Sequence, residues 1–99
     1  MANIIPFAFR GELFSGTHNF ASGGDAFKIA LYTANPYTTA STTVTATSEV
    51  SSAGSSNYTR KSLGSQAVAS STAVASVDFA DSTWSSATFT AAFAAIYND

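Results

Sequence analysis

The sequence contains no cysteine at all. Disulfide staples and thiolate metal sites are therefore excluded. A domain of this size without staples has to depend on its core or on neighbours. Charge is scarce as well. Only 10% of the 99 residues are Asp, Glu, Lys or Arg, against roughly a quarter in ordinary globular chains. Four basic residues and a net charge of −2 are too little to track a phosphate backbone, so no nucleic-acid partner is expected. No run approaches the ~18 apolar residues that span a bilayer, and no membrane partner is expected. The opening Met1–Arg10 lacks the basic start and long apolar centre of a secretory signal. It reads as mature sequence made and used without secretion.

Catalytic constellations are missing too. The single histidine, His18, sits in a loop beside Thr17 and Asn19. Metal centres need several ligands at set spacing, so it reads as a solvated or hydrogen-bonded loop residue. Asp78 and Asp81 flank a turn and can cap it with their side chains. No nucleophile or basic partner shares that stretch, which argues against acid–base catalysis. Asp78–Ser82 is too short and too poor in acids for a calcium loop. There is no Gly-x-Ser-x-Gly, and the glycines form no phosphate-binding fingerprint. Neither an enzyme nor a cofactor is expected.

What the chain does have is apolar bulk in a hydroxyl-rich setting. It is 45% hydrophobic, with eight Phe, four Tyr and one Trp. These supply large surfaces for a core. The low charge suits a surface that meets other protein; a soluble domain with a Ser/Thr-rich skin is the alternative.

Along the chain, residues 1–6 read as an extended arm, with Pro6 setting up the first turn of a helix. A short helix is expected from about 7 to 15, weakened by Gly11 and ended by Gly16. Ile4, Ile5, Phe7 and Phe9 make this segment sticky. It either covers its own domain or lies on a neighbour. Residues 15–25 carry turn residues throughout. Ala26–Ala34 alternates, with Phe27, Ile29 and Leu31 on one side and Lys28, Ala30 and Tyr32 on the other, and Asn35-Pro36 stops it.

Residues 35–57 are almost all Thr, Ser and Ala. They read as a long loop, with a brief strand possible around Thr42–Ala46. Long loops inside a small domain are usually functional. Tyr37, Val44 and Glu49 are its larger candidates for protein contact. Strand character resumes over Tyr58–Ala69, with Gly64 as a bulge, and again over Thr72–Ala80. Arg60-Lys61 is either a solvated strand end or half of a charge contact with a partner's acids. Trp84 is either a lid on the core or a contact residue.

The last run, Thr83–Tyr97, alternates Ala87, Phe89, Ala91, Phe93, Ala95 and Tyr97 with Thr88 and Thr90, then Ala92, Ala94 and Ile96. It reads as a strand, although Ala91–Ile96 is also good helix composition. Residues 58–97 then form a three-strand meander. Phe89, Phe93 and Tyr97 are expected at the core centre, against Phe27, Ile29, Leu31 and Phe79. The Ala92-Ala94-Ile96 face is too apolar for open water and needs a cover. The fold class is mainly β: a small antiparallel β-sandwich or curled sheet with a short N-terminal helix or arm. It forms a single domain over residues 7–99.

Three stretches in this order resemble a family of small virion proteins of tailed bacteriophages. They are Phe27-Lys28-Ile29-Ala30-Leu31-Tyr32-Thr33; then Ser48-Glu49-Val50, Gly54 and Tyr58-Thr59; and finally Val77-Asp78-Phe79-Ala80-Asp81-Ser82-Thr83-Trp84-Ser85 running on to Ala95-Ile96-Tyr97-Asn98-Asp99. The sequence departs from the family pattern at Gly54-Ser55-Ser56-Asn57-Tyr58, one glycine short. It also has Ala92 or Phe93 where a basic residue is usual.

The resemblance implies a non-enzymatic role on the virion exterior, in a protein made in the host cytoplasm. The first expectation is a capsid decoration (cement) protein that binds the major capsid protein and copies of itself, as a trimer rather than a dimer. A head–tail connector or tail component is the alternative. A carbohydrate- or host-surface-binding module, with Trp84 and the tyrosines stacking, is a further one.

Overall fold

A computed structural model describes residues 3–99, apart from the side chain of Ser55. The first two residues of the expected arm lie outside it. The chain is mainly β. Its elements are α1 (Phe7–Phe14), β1 (Phe27–Tyr32), a 3-10 turn (Gly54–Ser56), β2 (Lys61–Leu63), β3 (Ala67–Ser70), β4 (Ala75–Asp78) and β5 (Phe93–Asn98). They build a three-stranded sheet of order β2-β1-β5 and a separate two-stranded sheet, β3-β4. Every pairing is antiparallel.

β1 is the centre of the larger sheet because its six residues are aromatic or aliphatic apart from Lys28. It pairs with β5 along its whole length, from Phe27 opposite Asn98 to Tyr32 opposite Phe93. On its other side it pairs with β2 and, through a single bridge, Tyr32 with Glu49. An antiparallel sheet commonly leaves one face to water, yet β1 buries residues on both. Phe27 is buried on one face, and Ala30 and Tyr32 on the other. Each large side chain so buried contributes ~1.5–3 kcal/mol.

The core differs from the expected one. It consists of Phe27, Ala30, Tyr32, Val50, Tyr58 and Leu63, while Phe89, Phe93 and Tyr97 are only half-buried. Val50 and Tyr58 come from loops. Ladder-like hydrogen bonds hold them there, the Val50 N–H donating to Leu31 O at 3.0 Å and the Leu31 N–H to Tyr58 Oη at 3.0 Å.

Three sequence expectations need correcting. The final strand begins at Phe93, not Thr83. Ser86 adopts φ 52°, and the irregular path from Thr83 to Ala92 carries Trp84 and Phe89 over Tyr58 instead of into a ladder. The ladder starts where the Ala92 N–H reaches Tyr32 O at 2.8 Å. The 58–69 run is two strands, split where Gly64 and Ser65 (φ 53°) break the extended chain. With that break the meander is lost. β3 and β4 form their own hairpin, and β5 returns to β1. Residues 42–46 carry no strand, because Thr45 spends its N–H and C=O on two tyrosine hydroxyls.

The N-terminal helix is where its spacing put it. Ser15 follows it, and Gly16 takes the left-handed φ of 74° that suits a helix end. Gly24 is fixed by close approach. A Cβ there would stand 2.6 Å from the Asn19 carbonyl oxygen.

Candidate functional site

The densest polar cluster gathers four segments around one carboxylate. Ser48, at φ 60°, turns the chain so that Glu49 meets the end of β1. Tyr58 and Arg60 arrive on the approach to β2, and Tyr97 on β5. Arg60 grips Glu49 with two parallel bonds, Nε to Oε2 at 2.9 Å and Nη2 to Oε1 at 2.7 Å. The Tyr58 hydroxyl donates to Oε2 at 2.6 Å. The remaining arm of Arg60 donates to Tyr97 Oη at 3.3 Å, and its guanidinium lies 5.5 Å from the Tyr97 ring centroid.

This geometry sets the electrostatics. The Arg60 hydrogen bonds hold the Glu49 carboxyl below its ordinary range, helped by the Tyr58 hydroxyl and opposed by burial. The Tyr58 phenol is pushed up to about 12 by burial, then by its bond to the carboxylate. Beside it, Tyr37 donates to Tyr32 Oη at 2.6 Å, and the Tyr32 hydroxyl donates to Thr45 O at 2.8 Å. Burial, and then that contact with Tyr37, raises the Tyr32 phenol. Both Glu49 oxygens are engaged and the charge is neutralised, so the group is a poor proton acceptor. The arrangement works as a clamp between the 37–50 loop and the sheet. An open groove of about 540 Å³ runs alongside, lined by Glu49, Ser51, Ser52, Tyr58 and Arg60 among others.

A second cluster seals the clamp. Trp84 stacks on Tyr58 at 6.3 Å, and Phe89 meets both rings edge-on. The indole N–H donates to Thr59 O at 2.7 Å. Lys61 Nζ lies 5.8 Å from the Trp84 ring centroid. At the far end, Phe9 stacks on His18 at 4.4 Å, Phe20 lies 6.3 Å from Phe9, and Phe20 stacks on Phe27 at 4.2 Å. The Asn98 amide donates to His18 Nδ1 at 2.9 Å and to Asp25 Oδ2 at 2.8 Å. This assigns the proton on neutral His18 to Nε2, which faces Glu12 at 3.4 Å. Among the described residues, no three His, Cys, Asp or Glu side chains stand together as a metal site.

The residues expected to contact protein fall into three groups. Tyr37, Glu49, Arg60 and Trp84 are engaged inside the chain. Arg60 in particular meets its acid in Glu49 rather than in a partner. Phe9 and Lys61 are half-buried against His18 and Trp84, and Ile4 is half-buried. Ile5, Phe7 and Val44 stay exposed. The sequence reading passed over Phe14, the most exposed large apolar residue at 94%. Its place seven residues after Phe7, on the same helix face, was the available signal. Tyr97 was expected at the core centre and Tyr58 only at the start of a strand; their roles in the clamp depend on contacts distant in sequence.

Comparison with family models, with curated proteins and with solved structures finds no match for this chain.

Proposed function

We propose that the protein is a structural component of a tailed-phage virion, a capsid decoration protein. It sits on the outside of the shell as a homo-oligomer, a trimer in preference to a dimer, and ties copies of the major capsid protein together. The observation that carries this reading is the uncovered apolar face at the N-terminus. Ile5, just before α1, and Phe7, Leu13 and Phe14 on it stay exposed, and among the described residues the helix packs on no strand. A set of large apolar side chains left in water is a contact surface in waiting. The clamp supports the same role, because it spends its charges on holding a hydroxyl-rich loop still. With its N–H bonded to Thr59 and Tyr58 stacked on it, the Trp84 indole is engaged internally, which weighs against a carbohydrate-stacking role.

The test is to count and displace. Hundreds of copies per particle fit decoration, whereas a ring of about six or twelve fits a connector. Phe14→Glu, at a position with almost no packing to lose, should leave the melting temperature unchanged and abolish rebinding to stripped shells. Undiminished rebinding sinks the proposal.

A further inference from the structure

We infer that copies of this chain join by seating the β3-β4 hairpin of one copy against the open edge of β5 in another. This rests on the self-association part of the proposed function and not on shell binding.

β5 is an edge strand, with β1 on one side only. The Asp99 N–H donates to Ala26 O at 2.9 Å, in the register that sets Asn98 opposite Phe27. Alternate residues of an antiparallel strand aim both backbone groups the same way. Tyr97, Ala95 and Phe93 therefore face β1, and Ala94 and Ile96 turn their N–H and C=O groups outward. Ile96 is 54% exposed. Beside it in the register lies Ile29, and beside Ala94 lies Leu31. Natural edges are protected by lysine, proline or inward charge. Phe93–Asn98 contains none of these.

The hairpin has the complementary need. All of β3 and β4 is solvent-exposed, including Val68 and Val77, and Val74 in the turn is exposed too. Among the described residues, the hairpin packs against no other strand or helix. A lone two-stranded hairpin is marginal in water. The Ser71 N–H donates to Val74 O at 2.7 Å, and the β3-β4 register continues from that pair. Val68 and Ser70 on one edge, and Ala75 and Val77 on the other, therefore point their backbone groups outward. Either edge offers the same two-residue spacing as Ala94 and Ile96. Asp78 is the one charged residue in the hairpin, so charge does not oppose the approach. Strand addition of this kind gains main-chain hydrogen bonds as well as apolar burial.

The experiment compares three full-length chains by light scattering in solution without particles. Ala94→Pro removes an outward N–H, a place where an edge strand tolerates proline, and keeps the ladder to β1. A Val68→Lys/Val77→Lys variant keeps the hairpin's length and charges its surface. We expect the unmodified chain to be an oligomer and each variant alone to fall to the single-chain mass of 10.2 kDa. Mixed in equal amounts, a hairpin-intact, edge-blocked copy should bind an edge-intact, hairpin-charged copy, giving a species of twice that mass. A monomeric unmodified chain overturns the inference, as does a variant that stays oligomeric by itself or a mixture that fails to pair. Edge-to-edge pairing of two β5 strands would show as an oligomeric hairpin variant. Shell binding by the Ala94→Pro monomer is read separately, so failure of the capsid reading leaves these outcomes unaffected.

Discussion

Arg60→Met is the sharpest probe of the clamp. It keeps an unbranched stem of similar length and removes the guanidinium. Glu49, with a side chain only 13% exposed, would then keep just the Tyr58 hydroxyl. Removing one partner of a fully buried pair costs ~3–5 kcal/mol. The Arg60 side chain is 30% exposed, so solvent screens part of the pair and the expected loss falls to ~2–3 kcal/mol. Against a total stability of ~5–15 kcal/mol that is a large fraction. At ~4–8 °C per kcal/mol, the melting temperature should drop by about 8–24 °C. Glu49→Leu combined with Arg60→Met removes both charges and should recover part of the loss, for a coupling energy of ~1.5–3 kcal/mol. Urea unfolding followed by the fluorescence of the single tryptophan measures this, since Trp84 bonds the residue next to Arg60. A coupling energy under ~0.5 kcal/mol, the value of an exposed surface pair, refutes the reasoning. The pH dependence gives a second reading. The folded carboxyl lies below its ordinary 4.5, so its stabilisation is present above that pH and is lost as pH falls through the lower folded value. Arg60→Met should flatten that acid limb.

Three further outcomes are expected. Tyr58 and Tyr32 both titrate above the ordinary phenol range, so the stability they contribute is intact below pH ~10 and is lost as pH rises beyond it. Part of the tyrosinate absorbance should then appear only with unfolding, and a single reversible step complete before unfolding would contradict it. Gly11→Ala should stabilise by ~0.5–1 kcal/mol, because helix propensity improves and its Cβ meets nothing, whereas Gly24→Ala should cost ~1–3 kcal/mol from backbone crowding; paired thermal melts check the opposite signs. Trp84→Phe loses the indole bond to Thr59 and should cost ~1–2 kcal/mol, with glycan-array binding absent in both forms.

How much was legible follows from how far apart the interacting residues are in sequence. α1 was readable because Pro6, the Phe7–Phe14 spacing and Gly16 are local signals. β1 was readable because its alternation is strict and Asn35-Pro36 ends it. The end of β5 was also placed, since Phe93, Ala95 and Tyr97 alternate where they pair. Its start was misplaced because Thr88 and Phe89 alternate equally well in a segment whose aromatic rings serve as a lid. The sheet order was not legible. Nothing near Gly64 says that the chain leaves the sheet for a hairpin and then returns to β1. The clamp was half legible. Glu49, Tyr58 and Thr59 stood in the segments that carried the phage resemblance, but their convergence with Arg60 and Tyr97 needs the fold. The apolar Ala94-Ile96 face, which asked for a cover, stays open in the single chain.

The pairing of β1 with β5 also sets a timetable. β1 is made early, yet the strand that flanks it along its whole length follows only after everything from Thr33 to Ala92. At ~5–20 residues per second of synthesis, β1 waits for several seconds with one edge unsatisfied. Long-range pairing of this sort also slows folding after release. The nascent chain therefore passes through an interval in which its most buried strand can be captured by a chaperone or by another nascent copy. Crowded synthesis, as when many ribosomes translate one message, favours the second fate.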